Sequence, residues 1–243
     1  MKVVFHPKFY EIYSSDPAAE AGRMETIIKE LEGFDFVEPE EAKMEDILLV
    51  HSKWHHDDIK DMHKIYEIAS LSAGGAIKAA KISLDKPAFA LIRPPGHHAS
   101  PEHCWGFCYF NNIAIAVRRL MKDKIIERAV IVDFDLHFGD GTDNVFKEDE
   151  NVEYFHMKNR DIEGISDFLS KIDYDIIAVS AGFDRHKDDW GGILEIEDYR
   201  EIGRIVKERS EEKCYGRRFA VLEGGYNHAV LGKNVRAFIK GME

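Results

Sequence analysis

The chain has 243 residues, of which 44% are apolar and 32% are charged, and its formal net charge is −12. This length and composition are typical of one globular unit, so we expect residues 1–243 to form a single domain. The acidic balance argues against direct nucleic-acid binding, which needs clustered lysine and arginine. The N-terminus lacks the apolar stretch of a signal peptide, and no apolar run approaches the ~20 residues that span a bilayer.

Short apolar runs alternate with helical patterns along the chain. The predicted strands are Lys2–Phe5, Ile47–Val50, Ala88–Ile92, Ala129–Phe134, Val152–His156, Asp175–Ser180 and Arg218–Leu222. Helices are predicted from Asp16 to Leu31, from Ser52 to about Lys81 with an interruption near Gly74-Gly75, over Asn111–Met121, from Ile196 to Val206 and over Asn227–Ile239. Uniformly apolar runs suit strands buried on both faces. The alternation predicts a single-domain, three-layer α/β fold with a doubly wound, mainly parallel sheet.

Polar segments follow four of the predicted strands. They are Arg93–His98, Asp133–Thr142, Ser180–Asp184 and Glu223–Tyr226. Because ligands bind beyond the carboxyl ends of parallel strands, we expect these segments to meet at one edge of the sheet. Asp133, Asp135 and His137 alternate by two, so an extended segment would present them on one face. Taken alone, this pattern also fits a solvated strand end, but the neighbouring polar segments argue for a site.

Five short sequence motifs occur between residues 93 and 226. They are RPPGHHA (93–99), GFCYFNN (106–112), DFDLHFGDGT (133–142), SAGFD (180–184) and LEGGY (222–226). In these motifs and in their order, the chain resembles the histone deacetylase and acetylpolyamine amidohydrolase superfamily, which has the arginase/deacetylase fold. The resemblance implies a metal-dependent amidohydrolase that removes an acyl group, such as acetyl, from an acylated amine such as acetyl-lysine or an acetylpolyamine.

The resemblance implies that Asp135, His137 and Asp184 bind one divalent metal ion. Three protein ligands leave positions open for water and a substrate carbonyl, as in catalytic zinc sites. Zinc is the expected metal, and Fe(II) is a second candidate because two carboxylates and one imidazole form a comparatively hard ligand set.

The resemblance also suggests a structural potassium site. Its ligands would be Asp133 together with backbone oxygens of Asp135, His137 and Phe155. Tyr154 stands where the family often has a serine hydroxyl.

A tandem histidine pair, His97 and His98, matches the catalytic pair of the family. Asp133 is expected to orient His97, and Asp140 to orient His98, because a carboxylate on the far ring nitrogen fixes the tautomer. The sequence leaves open which histidine is the general base and which is the acid. Tyr226 matches the residue that stabilises the oxyanion.

Gly106 and Phe107 match one wall of the family's substrate channel, and Gly225 is expected beside the substrate as well. The segment between Met157 and Ser180, which usually supplies the opposite aromatic wall, is short here. This predicts a wide, shallow mouth that favours small or poorly discriminated acylated amines, unless a partner subunit completes the wall. Phe138 also replaces the usual second histidine of the D-x-D-x-H-H motif.

Two other functions remain as alternatives. An arginase-like binuclear manganese hydrolase would need further acidic and histidine ligands, and a non-catalytic module would bind acylated ligands without turnover. His55, His56 and His186 are expected at the solvated surface. Cys104, Cys108 and Cys214 form no C-x-x-C pair, which favours a reduced, cytoplasmic protein. The sequence does not indicate the oligomeric state.

Overall fold

The computed structural model describes residues 1–243 without a gap. Seven parallel strands form one sheet in the order β2-β1-β3-β7-β6-β4-β5. The strands are β1 (Lys2–Val4), β2 (Asp35–Val37), β3 (Ala88–Ala90), β4 (Ala129–Asp133), β5 (Val152–His156), β6 (Ile176–Ala181) and β7 (Arg218–Leu222). The helices are α1 (Arg23–Glu30), α2 (Met44–Ile47), α3 (Lys53–Lys60), α4 (Lys64–Ile82), α5 (Asn112–Lys122), α6 (Asp140–Phe146), α7 (Ile162–Lys171), α8 (Ile196–Lys213) and α9 (His228–Met242).

The helices pack in two groups that cover the sheet. Helices α1, α7, α8 and α9 contact one another, and a second group is formed around α4 and α5 by α2, α3 and α6. Every residue of β3, β4, β6 and β7 is buried, and the apolar side chains join one cluster of 66 residues. The predicted three-layer α/β fold is confirmed, and all strand pairs are parallel. None of the helices combines the length and the apolar character needed to cross a membrane.

Near the N-terminus, one predicted strand is wrong and another strand was not predicted. Residues Ile47–Val50 are not a strand, because Asp46 accepts a hydrogen bond from the Lys43 backbone at 3.0 Å and starts the short helix α2. The strand β2 was not predicted. It is a three-residue edge strand whose Phe36 is exposed, so it lacks the apolar pattern of a buried strand.

The helix boundaries differ from the prediction in two places. The long predicted helix is interrupted at residues 61–63, between α3 and α4, whereas α4 continues through Gly74-Gly75. The first predicted helix is divided into a 3₁₀ turn over Pro17–Ala19 and the helix α1. Asp16 caps the start of the turn by accepting a hydrogen bond from the Ala19 backbone at 2.9 Å, and the extended backbone of Glu20 then ends the turn before α1 begins.

The sheet register brings the polar segments together. Asp133 is the register partner of both Ser180 and His156, and Ala181 is paired with Leu222. On the other side, Ala90 of β3 is paired with Val221 of β7. The segments that follow β3, β4, β6 and β7 therefore leave the sheet at the same edge.

Candidate active site

Two carboxylates and a histidine meet at the ends of β4 and β6. Ligand atoms of Asp135, His137 and Asp184 lie within 4.8 Å of one another. His137 Nδ1 is 3.3 Å from Asp135 Oδ1 and 3.1 Å from Asp184 Oδ2. Asp184 Oδ2 is buried and has no hydrogen-bond partner. A buried carboxylate oxygen is costly to leave without a partner, so this atom is available to a cation.

Backbone N–H groups hold both carboxylates in place. Asp135 accepts hydrogen bonds from His137 N at 2.9 Å and Gly224 N at 2.8 Å, and Asp184 accepts one from Leu136 N at 3.0 Å. A Cβ atom at residue 224 would lie 2.6 Å from Asp135 Oδ2, so glycine is needed for this close approach. The remaining carboxylate oxygen of Asp184 faces His137.

The charges of this cluster need compensation. Burial and the neighbouring Asp135 raise the pKa of Asp184 to about 6. The hydrogen bond to Asp135 and the contact with Asp184 raise the pKa of His137 to about 10. Both shifts arise because two buried carboxylates lie together, and a divalent cation would relieve the same repulsion. The donor set fits a divalent metal ion.

The rings of the tandem histidines lie against each other, with centroids 4.1 Å apart and planes tilted by 43°. His97 Nδ1 is 3.0 Å from Asp133 Oδ2, and His98 Nδ1 is 2.7 Å from Asp140 Oδ1. Burial opposes a charge on His97, but Asp135 and Asp133 raise its pKa well above the usual value. Burial and the proximity of His97 lower the pKa of His98 to about 4. The two rings therefore have different proton affinities.

Glu223 holds the segment that carries the histidine pair, a role that the sequence did not indicate. Its Oε2 accepts hydrogen bonds from Gly96 N at 2.7 Å and His97 N at 3.2 Å. Ser180 Oγ donates to its Oε1 at 3.2 Å. Burial raises the pKa of this carboxyl to about 7. Glu223 thus ties the ends of β6 and β7 to the loop after β3.

The loop that carries Tyr226 is held from two sides. The buried Arg23 donates from Nε to Gly225 O at 2.9 Å and from Nη2 to Glu223 O at 2.6 Å. Asp189 Oδ2 accepts hydrogen bonds from the backbone N–H groups of Tyr226 and its successor, both at 2.8 Å. The position of the Tyr226 ring is therefore set by a buried guanidinium and a carboxylate.

A cavity of about 360 Å³ opens above these groups. It is lined by Pro95, His97, His98, Trp105, Gly106, Phe107, His137, Trp190, Gly224 and Tyr226. At residue 106, where φ is 60°, a Cβ atom would lie 2.5 Å from His98 Cδ2, so glycine is required there. Gly224, rather than Gly225, lines the cavity, and the Gly225 carbonyl is directed to Arg23.

Two tryptophans that the sequence analysis missed flank the cavity. Trp105 stacks on His98 with ring centroids 3.9 Å apart, and its indole N–H donates to Asp140 Oδ2 at 2.9 Å. Trp190 stacks on Tyr226 at 4.1 Å, and Phe107 contacts the same tyrosine edge-on at 6.0 Å. In the sequence, Trp105 directly precedes the 106–112 motif and Trp190 follows the 180–184 motif by six residues, and nothing else indicated a role for them.

The expectation that His55, His56 and His186 are solvated is wrong, because all three are buried. His55 and His56 pack against Phe110, and His55 Nε2 lies 2.8 Å from Tyr109 O. The helix α3 thus turns its histidines inward, beneath the 106–112 segment.

The Asp133 carboxylate, predicted to bind a second cation, already has protein partners. Asp133 Oδ2 accepts hydrogen bonds from His97 Nδ1 and, at 2.9 Å, from the Tyr154 hydroxyl. The Tyr154 oxygen in turn accepts a hydrogen bond from Gly139 N at 3.0 Å. Phe155 packs its ring on Phe168, with centroids 4.8 Å apart.

Comparison with known proteins places this site in a family. The family model described as "Histone deacetylase domain" matches residues 18–162 and 162–242. The two matched parts meet at Ile162, within the segment that the sequence analysis identified as short. The chain is also similar to the crystal structure of the HDA15 HD domain, with a TM-score of 0.88 and 21% identity, over 99% of this chain and 90% of that one.

Sequence relatives agree with the family model. A probable deacetylase of Methanothermobacter thermautotrophicus is 30% identical, over 99% of this chain and 90% of its own length. That alignment spans 304 positions, so the relative has segments that this chain lacks. A probable deacetylase of Archaeoglobus fulgidus is 32% identical over 91% of this chain and 77% of its own. The polyamine deacetylase HDAC10 of Danio rerio is 29% identical over 77% of this chain and 34% of its own. The chain belongs to the histone deacetylase family.

Proposed function

We propose that the chain is a metal-dependent amidohydrolase that removes an acyl group from an acylated amine. The observation that carries this proposal is the cluster of Asp135, His137 and Asp184, with its unpartnered carboxylate oxygen, beside the histidine pair. A divalent ion held by these residues supplies Lewis-acid polarisation of an amide carbonyl and of water. Zinc is our first proposal for that ion, and the hard ligand set keeps Fe(II) as the second.

The histidine pair is suited to move protons at the cavity. The carboxylates of Asp133 and Asp140 occupy the Nδ1 side of each ring, which leaves the Nε2 atoms to exchange protons with water and the leaving amine. The opposite pKa shifts of His97 and His98 give the site one stronger and one weaker base. The assignment of base and acid stays open between them.

In this proposal, Tyr226 donates a hydrogen bond to developing negative charge on the carbonyl oxygen. Burial and the charge of Asp135 raise its pKa well above the usual value. The phenol therefore keeps its proton at neutral pH and can act as a donor. Its stacking against Trp190 limits the rotation of the ring.

The cavity mouth suits an amine on an aliphatic stem. Phe107 and Trp190 contact Tyr226 from different directions, so a stem that reaches the metal site would pass between aromatic faces. Such faces bind methylene groups by burial of apolar area. Acetyl-lysine and acetylpolyamines both have such stems. Gly106 and Gly225 stay in the proposal as backbone positions beside the substrate, and the structure favours Gly224 at the same wall.

Two further expectations stay proposals. The single catalytic domain over residues 1–243 is supported by one sheet and one apolar cluster. A reduced, cytoplasmic setting is supported by three free cysteines.

The alternatives have less support. A binuclear manganese site needs a second group of hard ligands. The neighbouring group of His97, Cys108 and Glu223 contains a thiol, and the Glu223 oxygens are engaged by Gly96, His97 and Ser180. A non-catalytic module would be supported by the loss of a catalytic residue, and every residue expected for catalysis is present in this chain.

The proposal is tested by amine release. Metal-stripped protein would be reconstituted with zinc or Fe(II) and supplied with acetyl-lysine peptides and acetylpolyamines. We expect metal-dependent turnover that is lost in Asp184→Ala and retained in Asp188→Ala, whose side chain is 55% exposed in the same loop. Tight binding of one metal and of acylated ligand without turnover would instead support the non-catalytic module.

A further inference from the structure

A buried arginine directly follows the metal ligand Asp184. Arg185 is 3% exposed. Its guanidinium donates hydrogen bonds to four backbone carbonyls: Nε to Phe134 O and Asp135 O, both at 3.0 Å, Nη1 to Asn159 O at 3.2 Å, and Nη2 to Met157 O. These carbonyls belong to the segments that follow β4 and β5. The guanidinium thus joins the two loops on which a second cation site would be built.

The first predicted potassium ligand, the Asp135 carbonyl, is already engaged. Arg185 Nε donates to it, and His156 Nε2 lies 3.0 Å from the same oxygen. A carbonyl oxygen has two lone pairs, so the Arg185 hydrogen bond and the close His156 ring nitrogen, itself 3.2 Å from Arg185 Nη2, make this oxygen less available to a cation.

The second predicted ligand, the Asp133 carboxylate, is engaged as well. Its Oδ1 accepts a hydrogen bond from Asp135 N at 2.9 Å, and its Oδ2 accepts from His97 and Tyr154. Tyr154 is much larger than the serine that the family often has at this position, and its hydroxyl occupies the space between Asp133 and Gly139 N. Protein donors thus contact two of the four predicted ligands, and the Tyr154 side chain takes space beside them, so the residues present fit a potassium ion poorly.

The site nevertheless needs positive charge. Asp133, Asp135 and Asp184 are all buried, and the buried Arg185 hydrogen-bonds to the backbone of Asp135. An arginine guanidinium is effectively always protonated, and its planar donors suit several carbonyls at once. Because the Arg185 side chain is part of the fold, its positive charge offsets the negative charge of the carboxylates whether or not potassium is present.

We propose that the Arg185 guanidinium takes the place of the second cation, so that this protein folds and binds its metal without potassium. This inference rests on the metal site of the proposed function but not on the proposed reaction.

The first test compares monovalent cations. Tm of the zinc-loaded protein would be measured in potassium chloride, sodium chloride and tetramethylammonium chloride at equal ionic strength. We expect the three values to agree within about 1 °C. A potassium site filled at a hundred times its Kd would raise Tm by roughly 5–10 °C in a chain of this length. A saturable rise that is specific for potassium would overturn the proposal.

The second test asks whether the charge of Arg185 matters. Arg185→Lys keeps a charge and Arg185→Met removes it at similar length. Arg218 provides a matched control, because it is also 3% exposed and donates to Met242 O at 2.9 Å, but at the other end of β7. We expect the Tm difference between Lys and Met to be larger at residue 185 than at residue 218. Equal differences would mean that Arg185 only fills space. If the variants at 185 do not fold, the comparison of salts still decides.

Discussion

The floor and the mouth of the cavity are built differently. The floor consists of His97, His98, Asp135, His137 and Asp184, and its carboxylates are buried and held by backbone N–H groups. The mouth consists of Trp105, Phe107 and Trp190, and the two tryptophans are 51% and 53% exposed. The floor is thus fixed by hydrogen bonds to the sheet edge, whereas the mouth is held by ring stacking. Chemistry should therefore depend on the floor and substrate preference on the mouth.

The sharpest test of this division is Tyr226→Phe, at the boundary of the two regions. The variant keeps the ring that stacks on Trp190 but loses the hydroxyl that would stabilise the oxyanion. We expect kcat to fall about 10²–10³-fold, as for the loss of one oxyanion donor, with little change in KM. Kinetics of amine release would measure this, with Tyr215→Phe as control because that side chain is 92% exposed. A rise in KM at unchanged kcat would place Tyr226 functionally in the mouth.

A second prediction concerns the support beneath the floor. His51 is buried, with Nδ1 3.0 Å from Ser100 O, and it accepts a hydrogen bond from Asn111 N at 2.9 Å. Burial, together with the charge of nearby His55, lowers its pKa to about 3. Because the folded pKa lies below the unfolded value of about 6.5, its contribution to stability is fully present above pH 6.5. It is lost as the pH falls towards 3.

His51→Gln tests that window. The variant should be destabilised by about 1–3 kcal/mol at pH 7, since it leaves buried polar groups without a partner. Its stability should also fall less steeply than that of the unchanged chain as the pH decreases from 6.5. Urea unfolding at a series of pH values would measure both effects. Parallel pH profiles for the two proteins would show that His51 is not a source of acid sensitivity.

The third prediction separates the mouth from the floor. Trp190→Ala removes an aromatic face that contacts the substrate stem in the proposed binding mode, so we expect KM for acetyl-lysine peptides to rise about tenfold, with kcat changed little. Loss of one aromatic contact, ~1–1.5 kcal/mol, corresponds to this factor. Trp54→Ala is the control, because Trp54 is 67% exposed and lies on α3, outside the cavity. A large fall in kcat at constant KM would mean that Trp190 acts mainly by positioning Tyr226.

The floor could be predicted from sequence, whereas in the mouth only Phe107 could. Asp135, His137 and Asp184 follow apolar runs that form central parallel strands, so strand order alone brings their segments together. Trp105 and Trp190 lie in loops, and their contacts depend on how these loops fold back over the cavity. The short segment after Met157 predicts an open wall, whereas Trp190, in the loop after β6, supplies another aromatic ring.

Arg185 illustrates the same limit within the floor. Its charge and position were visible next to Asp184, but its partners are backbone carbonyls, which carry no sequence signal. Similarly, His55 and His56 are polar by type, and only the packing of α3 on Phe110 buries them. The residue types alone indicated which groups carry the chemistry, whereas the contacts that support those groups are visible only in the folded structure.

The smallest expected effect comes from Trp105→Phe. Trp105 belongs to the mouth and contacts His98 of the floor. Phenylalanine can still stack on His98 but cannot donate to Asp140, whose carboxylate then interacts more strongly with the His98 proton. The pKa of His98, lowered to about 4 by burial and by His97, should therefore rise. If a neutral His98 is required for turnover, the acid limb of the kcat/KM profile moves to higher pH by about half a unit. Trp190→Phe should leave the limb in place, because Trp190 has no contact with the His98–Asp140 pair. A profile that is unchanged in Trp105→Phe would mean that the indole N–H does not tune His98, and that Trp105 belongs to the mouth alone.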